Sequence, residues 1–288
     1  MKLKTTLSIL ILCALLLAAL CSCKPKLRSR NRMDEGSFPR TVLWAWERPE
    51  DLRSLDSHLF AVAFLAQTLV LKGDEVVFTP RRQPLKVAPE TRLIAVTRIE
   101  SQKTTGQRSV LSEAQRQRIA ALILNTLALN NVSVVQVDFD AVKSEREFYK
   151  SLLKDLRQQL PENVALSMTA LASFCVGDRW LADLPVDEAV PMIFRMGTDD
   201  QPIKRLLADG NDFREPLCRK SYGVSLDEPI RVNFETARRR YVFNPHSWTG
   251  ADLRAVRPRS AAARAVLTRS AARCANGYAA PYFPGVHN

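Results

Sequence analysis

The feature that most constrains the fold is the alternation, from Ser37 onward, of short apolar runs with longer amphipathic segments. The short runs are apolar at successive positions, which is typical of strands buried on both faces. Eight of them predict strands, at residues 41–46, 58–71, 92–98, 132–140, 164–170, 189–195, 221–226 and 241–244. Residues 75–78 are expected to extend the second strand as a hairpin.

Amphipathic segments between several of these runs predict helices. Ser112 and Gln115 have the spacing of a capping box, and so do Ser144 and Glu147. Further helices are expected at residues 203–208 and 251–272, with a helix or turn at 180–184. Buried strands separated by helices imply parallel pairing, so eight strands predict a (β/α)8 TIM barrel, either regular or incomplete. A dinucleotide-binding sheet is disfavoured because no glycine-rich loop follows the first strand.

The N-terminal segment has the pattern of a secretory signal. Lys2 and Lys4 precede an apolar run at residues 9–20. This run is shorter than the roughly 20 apolar residues that a transmembrane helix needs. We therefore expect residues 1–22 to be removed and residues 38–288 to fold as a single domain.

The end of this signal, Leu20-Cys21-Ser22-Cys23, resembles a bacterial lipobox. The resemblance implies that Cys23 is acylated and attaches the protein to a membrane, followed by a basic tether at residues 23–37. A secreted protein without a lipid is the alternative. Lys24, rather than an aspartate, resembles lipoproteins sorted to an outer membrane. The expected location is therefore the periplasmic face of the outer membrane in a bacterial cell envelope.

Composition and charge narrow the class of protein further. The 288 residues are 46% hydrophobic and 25% charged, which excludes a disordered tail, a collagen-like fibre and a disulfide-knotted miniprotein. The net charge is +12, with arginines clustered near the C-terminus. Because an exported protein rarely meets nucleic acid, we interpret these arginines as a solvated helix face or a contact with anionic lipid, and expect no nucleic-acid partner.

Cysteine and histidine spacing gives no sign of a metal or cofactor site. After export, Cys175, Cys218 and Cys274 remain beside Cys23, and no pair has CxxC spacing. Two of these three cysteines can pair in an oxidising compartment, or each can stay a free buried thiol. The three histidines lie far apart in the sequence. We therefore expect neither a metal nor a cofactor.

Polar residues cluster where the predicted strands end, which is where the functional groups of a TIM barrel lie. Asp138 and Asp140 share one face of the fourth strand and are the candidate catalytic pair. The candidate substrate-binding residues are Trp46, Glu47, Arg98, Gln136, Arg195 and Asn244. Two close carboxylates repel each other, so Arg98 or Arg195 is expected beside them. The alternative for either aspartate is a structural ion pair or a helix cap.

Aromatic residues near the same rim are candidate platforms for sugar rings, although core packing explains such residues as well. They are Trp44, Trp46, Phe139, Phe174, Trp180 and Phe194. Trp180 and Trp248 lie in segments that look like loops, and we expect them at the surface.

Four segments resemble the bacterial domain-of-unknown-function family 3142. They are residues 44–49 (WAWERP), 135–140 (VQVDFD) with Tyr149 following, 167–172 (SMTALA) and 190–196 (VPMIFRM). The resemblance covers most of residues 38–245. It implies a lipoprotein with a glycosidase-like TIM barrel, and it implies no activity, because none is established for that family.

Asp138 and Asp140 are also similar to part of the Asp-x-x-Asp-x-Asp-x-Glu signature of family 18 chitinases. In that alignment Val142 occupies the position of the acidic glutamate and Val135 that of the first aspartate. Either another carboxylate, such as Glu145, has taken over the acid role, or the barrel binds sugar without cutting it. A catalytically inactive, lipid-anchored scaffold in an envelope complex is the third hypothesis.

Overall fold

The computed structural model describes Met33, residues 38–230, Phe234 and residues 237–258. It contains eleven strands in the described residues: β1 (Thr41–Ala45), β2 (Glu50–Leu52), β3 (Phe60–Lys72), β4 (Glu75–Pro80), β5 (Leu85–Val87), β6 (Leu93–Ser101), β7 (Val132–Asp138), β8 (Ala165–Leu171), β9 (Glu188–Met192), β10 (Ser221–Ser225) and β11 (Arg239–Phe243). The helices described are α1 (Glu113–Asn125), α2 (Arg146–Gln159), α3 (Asp200–Ala208) and α4 (Gly250–Val256).

Eight of these strands close into a barrel. They are hydrogen-bonded in the order β1-β11-β10-β9-β8-β7-β6-β3, and β3 pairs with β1 to complete the circle. Every pairing around the circle is parallel. The structure therefore confirms the TIM barrel predicted from the pattern of buried runs.

The barrel is irregular on the side of β1 and β3. Helices follow β6, β7, β9 and β11, whereas β1 leads into β2, which pairs with β5. The strand β3 turns back through a hairpin into β4, which adds a ninth, antiparallel strand outside the circle. This hairpin confirms the extension predicted for the second apolar run.

Apolar side chains fill both faces of the barrel wall, which explains why the strands read as continuous apolar runs. Val42, Ile94, Val134 and Val190 pack inside the barrel. On the outer face, α1 and α2 cover the strands with a second apolar layer that includes Leu152.

The closed end of the barrel holds a buried ion pair. Arg239 donates to a carboxylate oxygen of Glu188 at 2.8 Å, and both side chains are almost completely buried. Arg239 also donates to the backbone carbonyl of Met33 at 2.8 Å. The hydroxyl of Tyr241 donates to Glu188 as well. Because each buried charge is paired with the other and has further hydrogen-bond partners, the ion pair is tolerated inside an apolar barrel.

Hydrogen bonds continue from this ion pair toward the open end. Ser167 donates to Glu188 at 3.1 Å, and Gln136 donates to Ser167 at 2.9 Å. The indole of Trp44 lies 3.4 Å from the Gln136 side-chain oxygen and donates to it. We call Arg239, Glu188, Ser167, Gln136 and Trp44 the interior polar chain.

One of the two predicted capping boxes is present. At the start of α1, the Ser112 hydroxyl accepts from the backbone of Gln115, and the Gln115 side chain accepts from the backbone of Ser112. The box predicted at Ser144 and Glu147 was wrong. A 3-10 turn at Lys143–Glu145 precedes α2, and the Glu145 carboxylate accepts from the backbone N–H of Val142 at 2.8 Å.

Several predicted elements end earlier in the structure. Strand β7 ends at Asp138 rather than residue 140, and β9 ends at Met192 rather than residue 195. Helix α4 ends at Val256 because Arg257 is extended (ψ 129°), as residues before a proline usually are. Residues 259–272 of the predicted helix lie outside the described residues, and residues 180–184 form turns.

Cys175 and Cys218 form a disulfide, with their Cα atoms 5.9 Å apart. It joins the 3-10 turn after β8 to the 3-10 turn before β10. This pairing resolves the alternatives left open for these two cysteines. Cys274, Cys23, the predicted signal peptide and the predicted tether up to residue 32 lie outside the described residues. No described helix has the length and apolar character needed to cross a membrane.

Candidate binding site at the mouth of the barrel

A cavity of about 240 Å³ opens at the carboxyl ends of the barrel strands. Its polar lining consists of Arg98, Asp138, Asp140, Thr169 and Arg195. Its apolar lining consists of Trp44, Trp46, Val96, Leu171, Met192, Phe194 and Phe243. A second cavity of about 180 Å³ shares Arg98, Asp138 and Asp140 with the first. The two aspartates therefore face both spaces.

Asp138 is the last residue of β7 and is largely buried, with 16% of its side-chain surface exposed. The Thr169 hydroxyl donates to its Oδ1 atom at 2.7 Å, and an Arg98 nitrogen lies 3.8 Å from Oδ2. Burial raises the pKa of Asp138, and neither the Thr169 hydrogen bond nor the Arg98 charge cancels this effect. Asp140 raises it further, because a second negative charge opposes ionisation.

Asp140 is exposed and lies two residues past the end of the same strand. Arg98 lies between the acids and the aromatic wall: its Nε donates to Glu100 at 2.7 Å, and its guanidinium stacks 5.6 Å from the Trp46 ring centre. The structure thus brings both aspartates and the arginine predicted to accompany them to one side of the cavity.

The opposite side of the cavity is aromatic. Phe194 and Phe243 are stacked, with ring centres 5.5 Å apart and planes at 14°. Trp44 meets both of these rings edge-on, and Trp46 meets Phe243 in the same way. The interior polar chain holds the Trp44 indole through Gln136, so this wall is fixed from below.

Arg195 borders the aromatic wall in an unusual backbone conformation. Its φ is +53°, a left-handed value that costs a non-glycine residue about 1–2 kcal/mol. Its guanidinium lies 5.1 Å from the Phe243 ring centre and 3.3 Å from a carboxylate oxygen of Asp227, and its backbone N–H donates to Glu228. Strained residues of this kind concentrate at functional sites.

Three predicted binding residues lie away from the cavity lining. Gln136 is fully buried below the floor, in the interior polar chain. Glu47 accepts from the backbone N–H of Arg82 at 3.2 Å. Asn244 is buried and bonds to the backbone of His246 and to the side chain of Asp252 at the start of α4.

Glu145, considered as a substitute acid, has structural contacts instead. Its carboxylate is buried and accepts from the Ser101 hydroxyl as well as from the Val142 backbone. Val142, at the position of the chitinase glutamate, is 43% exposed and has no titratable group.

Three of the candidate aromatic platforms belong to the outer core. Phe139 packs edge-on against Tyr149, with ring centres 5.2 Å apart. Phe174 and Trp180 pack edge-on against each other, with the Arg146 guanidinium 5.0 Å from the Phe174 ring centre. The surface position expected for Trp248 was wrong: it is buried, and its indole donates to the Trp44 carbonyl at 2.9 Å. Loop composition did not reveal that this segment folds back over β1.

Met192 and Phe243 line the cavity without having been predicted as site residues. Phe243 has a signal in the sequence, because it alternates with Tyr241 along β11 and both therefore point into the barrel. Met192 has the same signal, because it alternates with Val190 along β9 and Val190 also points into the barrel. Among the described residues, no group of three or more His, Cys, Asp or Glu side chains is placed to hold a metal ion.

The solved structures that are similar to this chain include the following two. The spore cortex-lytic enzyme SleL of Bacillus cereus is 18% identical, with a TM-score of 0.42 over 65% of this chain and 52% of SleL. This chain thus spans about half the length of SleL. A family GH18 chitinase from Chromobacterium violaceum is 11% identical, with a TM-score of 0.43 over 71% of this chain and 77% of the chitinase. No protein-family model and no curated protein sequence matches the chain.

Proposed function

We propose that the protein binds a carbohydrate in the mouth cavity. The observation that carries the proposal is the pairing, across one small space, of an aromatic wall with two aspartates and two arginines. A sugar ring has apolar C–H faces that pack on aromatic rings and hydroxyl groups that donate to carboxylates. Of the wall residues, Trp46 is the most exposed and offers its ring to a ligand.

The cavity is slightly below the range of roughly 300–1,000 Å³ typical of small-molecule sites, so it suits a single ring or a chain end. Asp140 is the exposed carboxylate and accepts from sugar hydroxyls. Arg98 and Arg195 donate to ring or hydroxyl oxygens and balance the charge of the aspartates.

Hydrolysis of the bound carbohydrate is the second candidate function, and the raised pKa of Asp138 favours it. Glycosidases need one carboxyl group that stays protonated to donate to the leaving oxygen, and a second that stays ionised. The burial of Asp138 favours it as the acid, and the exposed Asp140 is the second carboxyl group of the pair.

An envelope location is also part of the proposal. The Cys175–Cys218 disulfide supports it, because structural disulfides persist in oxidising compartments outside the cytoplasm. We propose that Cys23 carries the acyl anchor, and that the chain belongs with the lipoprotein family 3142 that its sequence resembles.

A panel of envelope and capsule polysaccharides tests the function. We expect the purified protein to bind one of them, and Asp140→Asn to weaken that binding by about tenfold or more, as the loss of a hydrogen bond to a charged group does. Released reducing ends, lost in both Asp140→Asn and Asp138→Asn, indicate hydrolysis.

The matched control is Glu90→Gln, an exposed acid just before β6, at the opposite end of the barrel. Unchanged binding in this control shows that the effect of Asp140→Asn is local. If no polysaccharide binds or is cut, and envelope proteins co-purify, the scaffold hypothesis replaces the carbohydrate proposal.

A further inference from the structure

Strand β4 forms an open edge of the nine-stranded sheet. It pairs with β3 on one side, and no other strand of the described chain pairs with its outer side. Five of its six residues are exposed, including Val77 at 43% and Phe78 at 44%. Open edges with apolar side chains readily add another strand, so natural proteins usually protect them with charges, prolines or bulges. Here residues 76–78 (VVF) carry no charge, and Pro80 comes only at the end.

The pairing of β4 with β3 determines which backbone groups face outward. Lys72 and Glu75 flank a two-residue turn, and hydrogen bonding recurs at every second residue from such a closing pair. The Arg81 N–H donates to the Ala66 carbonyl at 2.8 Å, in the same phase. The odd-numbered residues of β4 therefore bond to β3, and the N–H and C=O groups of Val76 and Phe78 face away from the sheet.

The two ends of this edge carry opposite charges. At its start, Asp74 lies beside Glu75, whose charge is opposed by its register partner Lys72. Arg82 follows its end, where the Arg82 backbone N–H donates to Glu47 at 3.2 Å. Asp74 and Arg82 are both exposed. An antiparallel copy of the same strand brings each acidic end beside a basic end, whereas a parallel copy brings like charges together.

We propose that β4 pairs antiparallel with β4 of a second copy of this chain, with Phe78 on the two-fold axis. Outward-facing groups must meet outward-facing groups, so Phe78 pairs with Phe78 of the second copy and Val76 pairs with Pro80. Asp74 then lies opposite Arg82 at both ends of the ribbon. Pro80 has no N–H to donate, which ends the hydrogen-bonded ladder next to these charges. The interface is isologous and closes as a dimer.

This dimer does not depend on what the mouth cavity binds. After its irregularity at Leu65/Gln67, strand β3 pairs with the last residues of β6, which end at the mouth of the barrel. The part of β3 that pairs with β4, and therefore the β4 edge, lies at the mouth end. None of the residues of β4 belongs to the interior polar chain or to the cavity lining.

Sedimentation of the purified protein over a concentration series tests the proposal. We expect a monomer–dimer equilibrium, and we expect Asp74→Arg alone or Arg82→Glu alone to raise the dimer dissociation constant about tenfold, because each places like charges together at both ends. The double variant Asp74→Arg with Arg82→Glu restores opposite charges and is expected to restore the dimer. Only an antiparallel pairing of identical strands gives this rescue.

Cross-linking tests the register independently. Phe78→Cys places two thiols directly opposite each other, and mild oxidation is expected to join the two copies. Val110→Cys is the control, because Val110 is 58% exposed but lies outside β4. A protein that stays monomeric at every concentration, a dimer unaffected by both single charge reversals, or equal cross-linking at both positions overturns the proposal.

Discussion

At the scale of single residues, two aspartates two positions apart have different environments. Asp138 ends a strand and is enclosed by Thr169 and Arg98, whereas Asp140 has left the strand and is exposed. The strand-end rule correctly anticipated that both acids, Arg98, Arg195 and Trp46 line one space. It failed for Gln136, which shares the face of Asp138 but lies two residues deeper, and for Asn244, whose side chain bonds locally at the start of α4. The depth of a side chain below the cavity and its choice of local hydrogen-bond partners depend on the folded backbone. Neither property could be predicted from the position of Gln136 or Asn244 along a strand.

The raised pKa of Asp138 predicts how Asp138→Asn changes stability. Between the ordinary value of 3.8 and the raised value, the folded protein keeps a proton that the unfolded chain has lost, so stability falls as pH rises through that window. Asparagine has no charge to bury and still accepts from Thr169. We expect the variant to melt at a higher temperature than the wild type at pH 7, by about 2–4 °C for each kcal/mol gained.

Thermal melting at several pH values checks this prediction. The advantage of Asp138→Asn should vanish below the ordinary value of 3.8, where Asp138 is protonated in both the folded and unfolded states. A variant that is less stable than the wild type at pH 7 would mean that Arg98 holds Asp138 in its charged form.

At the scale of elements, the eight buried runs were sufficient to predict the eight barrel strands, but not the short strands β2 and β5. The run at residues 58–71 is long for a barrel strand, and β3 uses its second half to pair with β6 and β4 beyond the barrel wall. The capping box at Ser144 and Glu147 failed because Glu145 caps a 3-10 turn that begins two residues earlier, at Val142. Two caps this close in sequence are distinguished by tertiary contacts, such as the hydrogen bond from Ser101 to Glu145.

The disulfide is expected to stabilise the two 3-10 turns that it joins in the outer core. Cys175 and Cys218 are separated by 43 residues, and closing a loop of that size removes about 4 kcal/mol of chain entropy from the unfolded state. We therefore expect Cys175→Ala with Cys218→Ala to lower the free energy of unfolding by up to this amount, measured by denaturant titration. Cys274→Ala is the matched control and should leave stability unchanged. A double variant as stable as the wild type would show that the bridge is absent in solution.

At the scale of the whole molecule, parallel strands that are apolar on both faces had few alternatives to a closed barrel, and this part of the fold was predictable. The hairpin after β3 was predicted as well, whereas the pairing of β2 with β5 was not, because three-residue strands leave weaker patterns than helices do. The N-terminal pattern lies outside the described residues and stays a prediction.

Membrane attachment through Cys23 gives a test at this scale. Each buried methylene of an acyl chain contributes about 0.8 kcal/mol, so an acylated protein should sediment with membranes. We expect a fatty-acid analogue to label the wild type and the Cys21→Ala control, and Cys23→Ala to lose both the label and the membrane association. Label retained in Cys23→Ala and lost in Cys21→Ala would move the anchor by two residues.

The interior polar chain links the two ends of the barrel. Trp44, a wall residue of the cavity, is held by Gln136, and the series of bonds continues through Ser167 and Glu188 to Arg239 at the closed end. Substitutions of Glu188 or Arg239 would therefore tilt the Trp44 indole, although neither residue lines the cavity. Related proteins with identical pockets would then differ in selectivity, and the cause would lie at positions that an inventory of pocket residues overlooks.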